Sequence, residues 1–106
     1  MSRPKSAEFS DYTKRKALER DNHTCAICEY GDDPQDPWTF HHIIFLDWGI
    51  QHGIPHSVLS HLANCQPLHR SCHEHLHNEY DEPLTDEVQF VLSQLGIQLG
   101  LWAKAG

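Results

Sequence analysis

A chain of 106 residues with 39% apolar side chains suits one domain with a modest core, and its spread of apolar residues argues against global disorder. Its net charge of −7 disfavours a binder working by bulk positive charge alone, and its short hydrophobic runs fall well below the roughly 20 residues of a membrane span. No apolar signal-peptide core follows Met1, Ser2, Arg3, Pro4 and Lys5, so the expected compartment is the cytoplasm, where cysteines more often hold metal than form disulfides.

Cations gather at the start of the chain. Residues 1 to 20 hold six of the eight Lys and Arg against three acids (+3), and the remainder holds two against twelve (−10). Such an arm can meet a polyanion, with Lys14 and Arg15 as candidate contacts, although a solvated helix face is the plainer reading. Ser10 and Asp11 can cap a helix to about Arg20, with Tyr12, Ala17 and Leu18 as apolar contacts. A turn, "DNHTCAIC", carries Cys25 and Cys28, and a Gly-, Pro- and Asp-rich loop spans 29 to 37. "WTFHHIIF" reads as a strand. From Leu46 to about His61 the pattern is irregular, with Gly49, Gly53 and Pro55 discouraging any long regular element. "CQPLH" is short and extended, because Gln66 precedes a proline. Ser71 can cap a helix of roughly two turns from Cys72 to about Tyr80. Thr85 and Asp86 start another, with Val88, Val91, Leu92 and Leu95 at helical spacing and Gly96 as its stop. The tail "IQLGLWAKAG" is apolar enough to pack back on the core.

Two constellations carry chemistry. Cys25-x-x-Cys28 and His69-x-x-Cys72 have the spacing of two knuckles, and together they complete a tetrahedral, thiolate-rich site suited to structural zinc. Cys65 is the alternative fourth ligand, but it shares no knuckle with Cys72, so His69 is preferred. A small core gains from such a staple. In the second constellation, His73 and His77 stand at i and i+4 on one helix face, aimed at a single ion, and His75 points elsewhere. His41 and His42 are adjacent on the expected strand and face opposite sides, so only one should join that ion. The other is free to act as a base near neutral pH.

"TFHHI", then Asn64, then "LHRSCHEHLH" resembles the HNH motif of the ββα-metal (His-Me finger) endonucleases, of the type with paired zinc knuckles. The resemblance covers roughly residues 12 to 80, and Asn64 precedes His73 and His77 in an Asn-x8-His-x3-His register. It implies an α+β fold: a small ββα-metal domain with N-terminal and C-terminal helices, stapled by structural zinc. It also implies hydrolysis of DNA phosphodiester bonds. His42 would be the general base and His41, His73 and His77 would hold one divalent ion (Mg²⁺, Mn²⁺, Ni²⁺ or Zn²⁺), while Asn64 would steady the loop that aims His42. Arg70, ahead of the helix, is the best single candidate for a phosphate contact.

Two features depart from the pattern. Position 69 is His where Cys is usual, and the stretch from His42 to Asn64 is long and contains His52, His56 and His61, which read as surface residues. Asp47 lies in the same stretch, but its spacing assigns it no metal. A zinc-stabilised nucleic-acid-binding or interaction module with a decayed nuclease site is the competing reading, opposed by the intact histidine set. A role in a toxin or a phage packaging machine would depend on partners. No separate specificity domain is visible, so the expectation is weak sequence preference or a partner protein that supplies targeting, with oligomeric state left open.

Overall fold

Ser10 opens the first helix as expected. Its hydroxyl accepts the Thr13 amide at 3.1 Å, an N-cap bond, and α1 runs Asp11–Arg20. In the computed structural model, described over residues 5–96, a 3-10 turn at Lys5–Ala7 precedes α1. Strand β1 (Trp38–His42) follows, then α2 (Leu46–Gln51), α3 (His56–Leu59), a 3-10 turn (Leu62–Asn64), β2 (Cys65–His69), α4 (Arg70–Glu79) and α5 (Thr85–Gln94). The fold is α+β, with two antiparallel strands backed by helices. The tail from residue 97 lies outside the described residues.

Three expectations about secondary structure need correction. The strand ends at His42 and does not reach Phe45, because β2 begins at Cys65, directly opposite His42, and offers no further rung. Beyond it, the Ile43 amide bonds the Asn64 carbonyl, and Ile44 turns into the core fully buried. The stretch 46 to 61 is not irregular but holds two short helices. Gly53, at φ +74°, follows the end of α2 and Pro55 caps the start of α3, so these residues mark helix ends. Gly49 lies inside α2 because a Cβ there would meet Leu59 Cδ2 at 2.6 Å.

The third correction concerns α4, which starts at Arg70, not Cys72, and is longer than two turns. Ser71 sits inside its first turn. Asp36, from the loop before β1, supplies the carboxylate that accepts the Ser71 amide at 3.0 Å and its hydroxyl at 2.6 Å. Tyr12, expected to pack, is 61% exposed, whereas Ala17 is buried.

The main core joins Ala7, Ile44, Leu46, Ile54, Val58 and Leu59 to Val88, Val91 and Leu92 of α5. Phe9, Ala17 and Cys65 form a second cluster. Helix α4 packs against both strands and α1 against β2, and the strand ends His42 and His69 lie beside the two groups of side chains of interest.

Candidate functional site

The knuckle turn is closed by two backbone bonds, from the Cys25 amide to the Tyr30 carbonyl at 3.0 Å and from the Glu29 amide to the Cys25 carbonyl at 2.9 Å. His69 ends β2 and Cys72 stands in the first turn of α4, and one donor atom from each of Cys25, Cys28, His69 and Cys72 lies within 4.8 Å of the others. His69 Nε2 donates to the Gly31 carbonyl at 2.7 Å, which leaves the ring's lone pair on Nδ1, 3.1 Å from Cys28 Sγ. Trp38 stacks on the same ring at 4.5 Å. Burial opposes ionisation of Cys25, but the amides of Cys28, His69 and Ile27 outweigh it and bring the thiol down to about 7. Cys72 is pushed up to about 11, by burial and then by the neighbouring Cys25 and Cys28 thiols. Three thiols crowded this way need a cation to ionise together, and three sulfurs with one imidazole nitrogen fit zinc. Cys65 is not among the four; it is packed with Phe9 and Ala17, and burial pushes it up to about 12.

On the other side of α4, His73 Nε2 lies 3.3 Å from His41 Nδ1 and 3.1 Å from His77 Nε2. These three histidines are the second group whose donor atoms fall within 4.8 Å of one another. The i, i+4 spacing on α4 aligns two of them, and the pleat of β1 aims His41 at the same point. His75 points away and meets Glu79 at 3.3 Å. His41 is buried, and that burial, followed by the nearby His73, His77 and His42, lowers it to about 3, so the ring stays neutral and able to donate a lone pair. The donor set fits a divalent transition ion, and imidazole alone does not select which.

His42 stands outside this group of three but borders the same cleft, of about 250 Å³, with Glu8, Phe40, Phe45 and Leu46. Its Nε2 donates to the Ala7 carbonyl at 2.9 Å, and its ring stacks on Phe9 at 4.1 Å. Asn64 is fully buried behind it: Oδ1 accepts the Ile44 amide at 2.6 Å, and Nδ2 donates to the Leu59 carbonyl at 2.9 Å. The side chain thereby ties the backbone leaving His42 to the end of α3.

The family model for HNH endonuclease matches residues 25–79, which span both knuckles, both strands and α4. The chain belongs to the HNH endonuclease family. No curated protein and no solved structure matches it.

Outside the matched HNH residues, α1 brings Lys14 Nζ to 5.6 Å from the Phe40 ring, at the cleft wall. Arg15 lies over Tyr12 at 5.5 Å. Arg70 is placed differently from expectation: it is the first residue of α4, not ahead of it, and its guanidinium meets Glu74 at 3.1 Å. The Ser71 amide beside it is taken by Asp36, which reduces what that helix start offers a phosphate. His52 stacks on Trp48, His56 meets Ser6 and His61 accepts the Ala63 amide, all at the surface.

Sequence reasoning missed three residues that brace this site. Thr39 donates its hydroxyl to the Leu68 carbonyl at 2.9 Å, so at His73 Nδ1, 2.9 Å away, it accepts. Asp36 caps α4. Arg20 clamps the Leu62 and Cys65 carbonyls at 2.9 and 2.6 Å and pairs with Asp21, bracing α1 against the start of β2. Single polar residues of this kind leave no periodic signal; only Asp36 lay in a stretch that looked turn-like.

Proposed function

We propose that this chain is a metal-dependent endonuclease that hydrolyses DNA phosphodiester bonds. The observation that carries the reading is the convergence of His41, His73 and His77 beside His42 in one cleft. In this reading His42 is the general base. With Nε2–H held by the Ala7 carbonyl, the neutral ring keeps its lone pair on Nδ1 and takes a proton from the water that attacks phosphorus. The new P–O bond forms as the bond to the leaving oxygen breaks, and solvent protonates the departing alkoxide. His41, His73 and His77 would hold a divalent ion, which when bound would supply Lewis-acid polarisation and offset negative charge on the phosphate. Asn64 does no proton transfer; it holds the backbone that aims His42. Lys14, over the Phe40 ring that lines the cleft, receives the phosphate backbone together with Arg15 further along α1. Cys25, Cys28, His69 and Cys72 would hold the structural zinc.

Plasmid nicking by metal-stripped protein, with Mg²⁺, Mn²⁺, Ni²⁺ and Zn²⁺ added in turn, tests the reading. At least one ion should restore cutting by the wild type. His42→Ala should keep fold, zinc and DNA binding yet lose on the order of 10²-fold or more in rate. Near-normal cutting by His42→Ala removes it as the base, and no cutting with any ion leaves a binding module.

A further inference from the structure

We propose that the N-terminal segment 5 to 9, which lies outside the family-matched residues, is a positioning element for His42, with Ala7 setting its tautomer and Phe9 its ring plane. The proposal rests on His42 being the base.

Asn64 holds the main chain just beyond His42, but this leaves the imidazole itself unset. The χ2 torsion of histidine is broad and roughly two-fold, so a correctly placed backbone still permits several ring planes and a flipped ring. Two contacts from the N-terminal segment remove that freedom. A carbonyl oxygen can only accept, so the Ala7 oxygen at 2.9 Å requires the proton on Nε2 and puts the neutral ring's lone pair on Nδ1. A hydrogen bond fixes one direction and leaves rotation about it. The Phe9 ring, parallel to within 18° at 4.1 Å, fixes the plane.

The segment is itself held firmly. Ala7 is fully buried in the main core, and Phe9 is buried in the second cluster with Cys65, the cross-strand partner of His42. Between them Glu8 borders the cleft, and Ser6 Oγ reaches His56 Nδ1 of α3 at 2.6 Å. Each apolar cluster therefore anchors one end of a short bridge that crosses the His42 ring.

The test compares Phe9→Leu, which keeps an apolar side chain without the ring, with Phe9→Tyr, which restores the ring. Nicking rates, KM, zinc content and melting are measured on full-length protein, and long-range ¹H–¹⁵N NMR reads the His42 tautomer. We expect Phe9→Leu to lower kcat about 10-fold at unchanged zinc content and KM, and Phe9→Tyr to recover most of the loss. In the wild type, His42 should be a single Nε2–H tautomer, and it should become mixed or broadened in Phe9→Leu. Unchanged kcat and tautomer in folded Phe9→Leu overturn the proposal. An Nδ1–H tautomer in the wild type overturns it without any variant, which covers the case where Phe9→Leu does not fold. His42→Ala is assayed alongside. If it is inactive while Phe9→Leu is unimpaired, only the positioning role falls; if it cuts normally, the base reading has failed first.

Discussion

The Thr39 hydroxyl hydrogen is spent on the Leu68 carbonyl, so its oxygen takes the proton of His73 Nδ1 and leaves the lone pair of that ring on Nε2, facing His41 and His77. Partners that orient a metal-binding histidine commonly contribute 10- to 100-fold in affinity, by rough estimate. Thr39→Val should therefore weaken Ni²⁺ or Mn²⁺ binding at the histidine group by about 10-fold or more, with tightly held zinc unchanged, while Thr39→Ser restores affinity. Calorimetric titration of zinc-loaded protein checks it, and equal affinity in Thr39→Val would remove the role. Residue-scale legibility follows the same division. Cys25, Cys28, His69, Cys72, His73 and His77 are legible because their chemical type and local spacing are both visible in the chain. Preferring His69 to Cys65 rested on the knuckle spacing, and Cys65 instead lies against Phe9 and Ala17. Thr39, Ala7 and Arg20 act through carbonyls or rings distant in sequence, and a pattern of side-chain types carries no trace of those contacts.

Among the elements, α1, α5 and β2 were legible because capping residues, helical periodicity and an X-Pro step each act locally. The extent of β1 was not, since a strand ends where its partner ends, and Asn64 rather than the apolar run "IIF" decides that. The short helices α2 and α3 were hidden for a related reason: the glycines and proline that looked disruptive lie at their boundaries, except Gly49. That residue permits close packing of α2 on α3. A methyl group there would sit 2.6 Å from Leu59 Cδ2, 3.3 Å from its Cδ1 and 3.4 Å from Ile44 Cγ2, both residues fully buried. Overpacking costs roughly 1–3 kcal/mol, against up to ~1 kcal/mol gained from the better helix propensity of alanine. Gly49→Ala should thus lower the melting temperature despite being a substitution toward a better helix former. A melting temperature equal to or above wild type would show that Leu59 moves aside freely.

Across the whole molecule, the two donor groups use opposite sides of one short segment. His69 and Cys72 turn toward the knuckle, whereas His73 and His77 turn toward His41 and the cleft. The four-residue group links the Cys25–Cys28 turn to the β2–α4 junction, closing a long stretch of chain around a modest core, so an ion there restricts the unfolded state as well as joining the folded one. The three-histidine group joins only β1 and α4, which are already held close because β2, the partner of β1, runs directly into α4. It also offers three donors, leaving positions that water and phosphate would need, where the thiolate group offers four. Affinity and structural consequence should therefore separate. In a titration with a single chelator, nicking should disappear first while circular dichroism stays native, and adding back a divalent ion should restore cutting without refolding. At higher chelator, the thiolate group should lose its ion and the helical signal should fall, because apparent zinc free energies of roughly 10–16 kcal/mol are coupled to folding in small domains. If all these side chains served one shared ion, the two signals would fall together, and coincident curves would defeat the two-site account.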